Sequence, residues 1–488
     1  MYYVLYEGDC MSFKDEFIKI LGDTSIYSLY KITGIERTKL QRIKNGQRLP
    51  SNEDIEKISR ALSLTVFEKK RLYQALEIET IGEDKYKSRG CTKQFLEDLF
   101  YVFQNSTDSK INFISNNSIT LKDETITVNG LLETQKLVNW IVKGEASIEN
   151  DIFILTNDED NPILNAIYYD LSNNPKIKLR HVFALKPHNE CYNSYYSNIK
   201  FITTIYPIFL SQTDYTAYYY YSNPTDDFLF SSYIITNNIS VSISYDFKSA
   251  VITKNKDVIA VHKRLCELKK KQSYPLIIKI NLFEDYIDYY TKRIRELSKN
   301  ENKLITLEYE PCILPFVSNE LLQKYIHNDF LNNDEIYKKA LSIFSLYGNY
   351  DIKISIFTEN GLKSFLHTGK ISEIPDYLYS PVSVKDRISI LRSVCQFARN
   401  YGKIELHLID EKKMHIPHNL RYCGTGQIDD FFILMSKEAN NNSMFQLNEC
   451  GFSKPFFDFV NSLIDTDLVL SNEQTVEFIE NAIKEFEK

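Results

Sequence analysis

The segment KITGIERTKLQRIKNGQRLPS, residues 31–51, sets six Lys or Arg side chains against one acid, Glu36, in a chain whose formal net charge is −7. Cations at that density bind phosphate oxygens. Arg carries a fork that matches the two acceptors of guanine, and Gln one that matches adenine, so Arg37, Gln41 and Arg42 have the chemistry of base readers. Thr38 and Lys39 share the same turn, while Lys44 and Arg48 sit further along, where phosphate contacts position a protein without specifying sequence. A charge run can also be nothing more than a solvated helix face. The elements that hold these side chains decide between the two readings.

Apolar residues recur at helical spacing from Ser12 to about Ile78. Phe13, Phe17, Ile20 and Leu21 mark a first helix, closed by Gly22. Ser25 caps a second, with Leu29 and Ile32 inward, and Gly34 turns the chain. A third helix runs from about Glu36 to Asn45 with Leu40 and Ile43 facing back. Pro50-Ser51 opens a fourth, with Ile55, Ile58 and Leu62 inward, and Thr65 caps a fifth carrying Leu72 and Leu76.

Two short helices joined by a glycine turn, the second of them basic, form a helix-turn-helix pattern. The stretch SIYSLYKITGIERTKLQRIKNGQRLPSNEDIEKISRALSL resembles the Cro/C1 (XRE) family through Leu29, Gly34-Ile35, Leu40, Asn45-Gly46, Pro50-Ser51 and the Ile55/Ile58/Leu62 helix. The resemblance covers about an eighth of the chain. It implies binding to double-stranded DNA, with the third helix in the major groove and Arg37, Thr38, Lys39, Gln41, Arg42, Lys44 and Arg48 as the contact residues. Such domains commonly act as homodimers on two-fold sites. The family often has Gln at the start of the second helix and Ala beside the conserved Leu; this chain has Ile26 and Tyr30 there.

Beyond Glu79 the polar stretch 80–92 reads as a linker, and an amphipathic helix follows it. From about residue 111 strands and helices alternate. INFISNNSITLKDETITVNG reads as a hairpin-like β segment, and LLETQKLVNWIVKGEAS as a helix with Trp140 in the core. DIFILTN, NPILNAIYYDLSNN and KIKLRHVFAL form a βαβ unit. A similar order returns after residue 276, which predicts a possible duplication without sequence identity to support it. The expected organisation is an all-α helix-turn-helix domain at 10–79, a linker at 80–92, and a large α/β region in two halves, 93–275 and 276–488. That order loosely resembles the phospholipase-D-like fold, which some regulators use for ligand sensing. Its catalytic signature needs a His, a Lys two residues on and an Asp five after that, and no such spacing exists; His262 and Lys263 are adjacent.

Other motifs lead nowhere catalytic. LHTGKIS lacks the glycine spacing of a phosphate loop. CGTGQIDD has two glycines and no third. His415 and His418 flank Pro417, which opposes a helical ligand pair, and no GxSxG occurs. Asp226-Asp227 and Asp429-Asp430 read as loop charges. Tyr218 to Tyr221, if extended, send two rings to each sheet face. Residues 358–387 read as a long connecting loop. No catalytic residue, metal site or cofactor is expected.

At 43% hydrophobic and 25% charged the composition is that of a globular protein, and no apolar run approaches the length of a membrane span. Eight cysteines without a CxxC suit buried thiols in a reducing compartment, so a cytoplasmic protein with no membrane partner is expected. The functional expectation is a transcriptional regulator whose α/β region senses a small-molecule effector or mediates assembly. The alternatives are an effector enzyme, or an assembly protein, carrying a helix-turn-helix head.

Overall fold

Short polar side chains delimit the helices of the first part of the chain. In the computed structural model Ser12, Ser25, Ser51 and Thr65 each accept a hydrogen bond from a first-turn backbone N–H, and Ser51 and Thr65 complete capping boxes with Asp54 and Glu68. The helices so begun are α1 (Phe13–Leu21), α2 (Ile26–Thr33), α3 (Arg37–Lys44), α4 (Asn52–Ala61) and α5 (Val66–Ile81). The structure describes residues 12–105, 124–148, 151–157, 161–171, 177–187, 195–209, 213–222, 229–280, 288, 291–292, 303–313, 316–327, 338, 352–371, 379–400, 404–418, 420–425, 431–435, 444–447 and 450–488.

The chain forms two compact units, Met1–Gln94 and Phe95–Lys488. The first is helical. Phe13, Phe17, Leu29, Leu40, Ile43, Ile55, Ile58 and Leu72 make its core. Ile32, expected inward, is 64% exposed; α2 stops one residue later and Ile35, beyond the Gly34 turn, fills the space at 5% exposure. The stretch 80–92 is helical where a linker was expected. Only Gly82, at φ +88°, separates α5 from α6 (Glu83–Asn105), and a Glu83–Lys87 ion pair at 2.7 Å together with buried Tyr86 and Cys91 favours a helix there.

The second unit is α/β. In its first half β1 (Thr125–Asn129), β2 (Asp151–Thr156), β3 (Lys178–Leu185), β4 (Asp214–Tyr221), β5 (Ser232–Ile235), β6 (Ser240–Ile243), β7 (Ser249–Thr253) and β8 (Tyr274–Pro275) form one sheet, ordered β1-β7-β6-β5-β2-β3-β4-β8. Strands β2, β3 and β4 are parallel, and the others pair antiparallel. The apolar run of β2 is buried almost throughout, as a strand covered on both faces requires. Helix α10 (Lys256–Lys271) covers one face; α7 (Leu131–Ile148), α8 (Pro162–Leu171) and α9 (Tyr195–Phe209) belong to the same half. Trp140 on α7 is 47% exposed, because Val138, Ile141 and Val142 are the residues whose spacing turns inward. The first strand expected of a hairpin, in 111–121, lies outside the described residues; β1 pairs with β7 over a long sequence distance.

The second half repeats this plan. Its strands β9 (Ile277–Ile280), β10 (Lys303–Glu308), β11 (Ile352–Phe357), β12 (Ile404–Leu408), β13 (Leu420–Gly424), β14 (Phe431–Met435) and β15 (Met444–Leu447) run β9-β15-β14-β13-β10-β11-β12 across their sheet. Replacing β1–β7 by β9–β15 turns one order into the other, with β8 extra. Parallel and antiparallel pairings agree strand for strand. Register agrees too: Phe153–Thr156 face Ile235–Ser232 as Ile305–Glu308 face Gly424–Arg421, and Asp151 lies opposite Lys178 as Lys303 lies opposite Ile352. The expected duplication is therefore present at the level of topology.

Helices α11 (Asn319–Tyr325), α12 (Glu359–Thr368), α13 (Val384–Asn400), α14 (Cys450–Ser462) and α15 (Asn472–Phe486) complete this half. Ten residues of the expected 358–387 loop are α12, capped by Thr358, with Leu362, Phe365 and Leu366 buried. Among the described residues no helix is long and apolar enough to cross a membrane.

Candidate nucleic-acid interface

The turn between α2 and α3 is built from local hydrogen bonds. Gly34 adopts φ +71°, and its N–H bonds to Tyr30 O at 2.9 Å. Thr33 Oγ1 donates to Leu29 O at 2.7 Å and accepts from the Ile35 N–H at 3.2 Å, so one side chain closes α2 and fixes the exit. Ile35 enters the core, Glu36 precedes α3 without a side-chain cap, and Thr38 Oγ1 donates to the Glu36 carboxylate.

Helix α3 is pinned by Leu40 and Ile43, both without accessible surface. At 100° per residue, Arg37, Thr38, Gln41, Arg42 and Asn45 fall in one sector of about 140° on the opposite side. All five are exposed. Gln41 Nε2 reaches Asn45 Oδ1 at 3.4 Å, a long contact that leaves the amide edge outward. The Arg37 guanidinium carbon lies 5.9 Å from the centre of the Tyr27 ring. Lys44 is half-buried at the end of the helix. Arg48 is exposed beyond it, after a turn in which Gly46 takes φ +72° and the Gln47 N–H bonds to Arg42 O at 2.8 Å.

Lys39 does not share the outward sector. Its Nζ lies 2.6 and 2.9 Å from the Asp54 carboxylate oxygens, which also accept from the Ser51 N–H at 2.8 Å and the Ser51 hydroxyl at 2.8 Å. Burial alone would raise the Asp54 carboxyl. The Lys39 ammonium and the two Ser51 donors outweigh it and hold the group below its ordinary value. Lys39 therefore joins α3 to the capping box of α4. Of the residues expected to meet DNA, the structure brings Arg37, Thr38, Gln41 and Arg42 onto one face, sets Lys44 and Arg48 at its end, and commits Lys39 inward.

Sequence reasoning passed over Tyr27. Its ring is 50% exposed, with Lys31 Nζ 4.7 Å from the centroid and Tyr30 tilted against it at 6.3 Å. The available signal was an aromatic four residues before a lysine at the start of α2.

The larger unit holds several polar clusters, each explained by packing. Ser240 Oγ and His262 Nδ1 are 2.8 Å apart, but Ser240 has no accessible surface in β6. His181, fully buried, bonds Tyr168 and Tyr215 at 3.1 and 2.9 Å, and burial depresses its imidazole to about 3, so it is neutral. His415 stacks on Phe100 at 4.7 Å, while His418 meets Tyr309 edge-on at 6.2 Å. No group of three metal-ligating side chains occurs among the described residues. The four tyrosines of β4 divide between faces: Tyr220, with Tyr218 beside it, joins the core under α10, and Tyr219 meets Tyr221 and Tyr274. Asp226, Asp227, Asp429 and Asp430 lie outside the described residues.

No family model matches the sequence, and no curated protein matches it. Among solved structures, a polyphosphate kinase from Porphyromonas gingivalis aligns with 74% of this chain and 56% of its own, at 11% identity and a TM-score of 0.22. This chain thus spans little more than half the length of that enzyme. TrmBL2, an archaeal chromatin protein, aligns over 54% of this chain and 99% of its own, at 11% identity and 0.20. A phosphatidylserine synthase from Haemophilus influenzae Rd KW20 aligns over 75% and 92%, at 9% identity and 0.24. Likenesses at these scores carry no inference about function.

Proposed function

We propose that residues 10–79 are a Cro/C1-type helix-turn-helix domain that binds duplex DNA through α3. In this reading the chain regulates transcription in the cytoplasm as a homodimer. Its duplicated α/β body, which keeps the phospholipase-D-like order without that family's catalytic spacing, senses a small-molecule effector or mediates assembly. The observation that carries the reading is the outward sector of α3. Arg37, Gln41 and Arg42 are exposed together on a helix whose other side is locked into the core by Leu40 and Ile43. An α-helix fits the major groove, where Arg and Gln have matched partners on guanine and adenine. Lys44 and Arg48, at the end of the sector, meet the phosphates that flank the groove. Two copies related by a two-fold axis would engage half-sites about one helical turn apart.

The test is selection of duplexes from a random pool by the full-length protein, followed by binding measurements over a range of salt. Affinity should fall steeply with salt, because each neutralised phosphate releases counterions. Arg37→Ala with Gln41→Ala should narrow the gap between selected and scrambled duplexes. Lys44→Ala should weaken all duplexes alike and lower the salt slope by about 1. Binding that ignores salt and both sets of substitutions would overturn the reading.

A further inference from the structure

Arg37 opens α3, and nothing in its own helix holds its long side chain. Among the described residues no carboxylate pairs with it, and the contact it makes is with the face of Tyr27 on α2, 5.9 Å from the ring centre. The same ring takes Lys31, one turn along α2, at 4.7 Å. Tyr27 lies on the outer surface, 50% exposed, while the core face of α2 is made by Ile26 and Leu29. The ring therefore contributes little to the core and bridges the two helices on the solvent side of the Gly34 turn.

We propose that Tyr27 is a positioning residue for base recognition, its ring presetting the Arg37 guanidinium at the leading end of α3; this rests on the DNA-binding reading above. An aromatic face attracts a guanidinium through the ring quadrupole and restricts where its planar fork can point. An arginine already placed gives up less freedom on meeting a guanine edge, so the gain falls on the cognate duplex. Lys31, a compact ammonium over the same ring, contributes a phosphate contact with no sequence content. Tyr27 thus links the helix that rides the backbone to the helix that reads bases.

The experiment compares full-length wild type, Tyr27→Leu and Tyr27→Phe, each with Arg37 or Arg37→Ala, on a duplex selected by the wild-type protein and on a scrambled one. Tyr27→Leu should lower the preference for the selected duplex about two- to five-fold, the size of an exposed cation–π contact. Tyr27→Phe, which keeps the ring, should retain it. With Arg37→Ala in place, Tyr27→Leu should cost nothing further. Lys31→Ala should weaken both duplexes equally. Thermal unfolding of each variant guards against a fold defect. The inference is overturned if Tyr27→Leu has no effect, if its effect is undiminished without Arg37, or if Tyr27→Phe fails to rescue, since that would make the hydroxyl the contact. If wild type prefers its duplex and Arg37→Ala abolishes the preference while Tyr27 variants do not change it, only this inference falls. If wild type prefers no duplex, the DNA-binding reading falls and the inference with it.

Discussion

Lys39 and Arg37 stand two residues apart on a basic helix and meet opposite surroundings. Arg37 faces outward over an aromatic ring; Lys39 turns back to a carboxylate that caps the next helix. Charge counting treats the two alike, and the partner that separates them, Asp54, lies fifteen residues on. Lys39→Ala should therefore lower stability by about 1–3 kcal/mol, the range for a hydrogen bond to a charged, largely buried group, and leave the preference among duplexes in place. Urea unfolding against pH checks the assignment. The Asp54 carboxyl is held below its ordinary value, so its contribution is complete above the unfolded carboxylate value of about 3.9 and is lost as pH falls through the folded value. The Lys39→Ala penalty should be full at neutral pH and shrink in acid. A penalty unchanged into acid would place the lysine's role elsewhere. Tyr27 shows the converse limit: an aromatic on a short amphipathic helix reads as packing, and only the fold sets an arginine over it. Ile32 turns outward although its spacing groups it with Leu29, because helical spacing says which residues share a face, not where the helix stops.

The starts of α2, α4 and α5 are legible in the sequence because a short polar side chain precedes each, whereas α3 begins at Glu36 with no side-chain cap. Ser25, Ser51 and Thr65 are caps by residue type, and Gly34 supplies the left-handed turn. Helix α12 is hidden in the sequence because Gly361 sits in its first turn and reads as a breaker. The glycine is there for a different reason: a Cβ would meet the Tyr309 carbonyl oxygen at 1.8 Å, so α12 needs a residue without a side chain to approach β10. The two positions should respond differently to alanine. At Gly34 nothing lies within 4 Å of the added Cβ, so the cost is the left-handed backbone alone, about 1 kcal/mol. At Gly361 the backbone itself must move, and the loss should exceed about 3 kcal/mol. Thermal unfolding of both variants compares them directly, and an equal loss would contradict the account of α12. Trp140 fits the same lesson, since its exposure follows from the phase of α7 and its size alone suggested the core.

The duplication is a property of the whole α/β unit that no local stretch of sequence displays. Alternating strands and helices suggested it, but pairings such as β1 with β7 join residues more than a hundred positions apart, and the two halves share no evident identity. Matching registers make Thr156 and Ser232 the counterparts of Glu308 and Arg421, which form a buried ion pair at 3.0 Å. Arg421→Ser alone should be clearly destabilising, because it takes a cation away from a buried carboxylate. Adding Glu308→Thr, which copies the other half, should recover much of that loss in urea unfolding. No recovery would mean that the two positions are not equivalent in environment. The claim on which the function depends is that α3 lies in the major groove, and chemical protection of guanine N7, an atom exposed only in that groove, tests it most directly. Full-length protein on its selected duplex should shield N7 of discrete guanines from methylation, and Arg37→Ala should restore reactivity at one of them. Unprotected N7 atoms on a duplex that is demonstrably bound, or protection indifferent to Arg37 and Gln41, would contradict it.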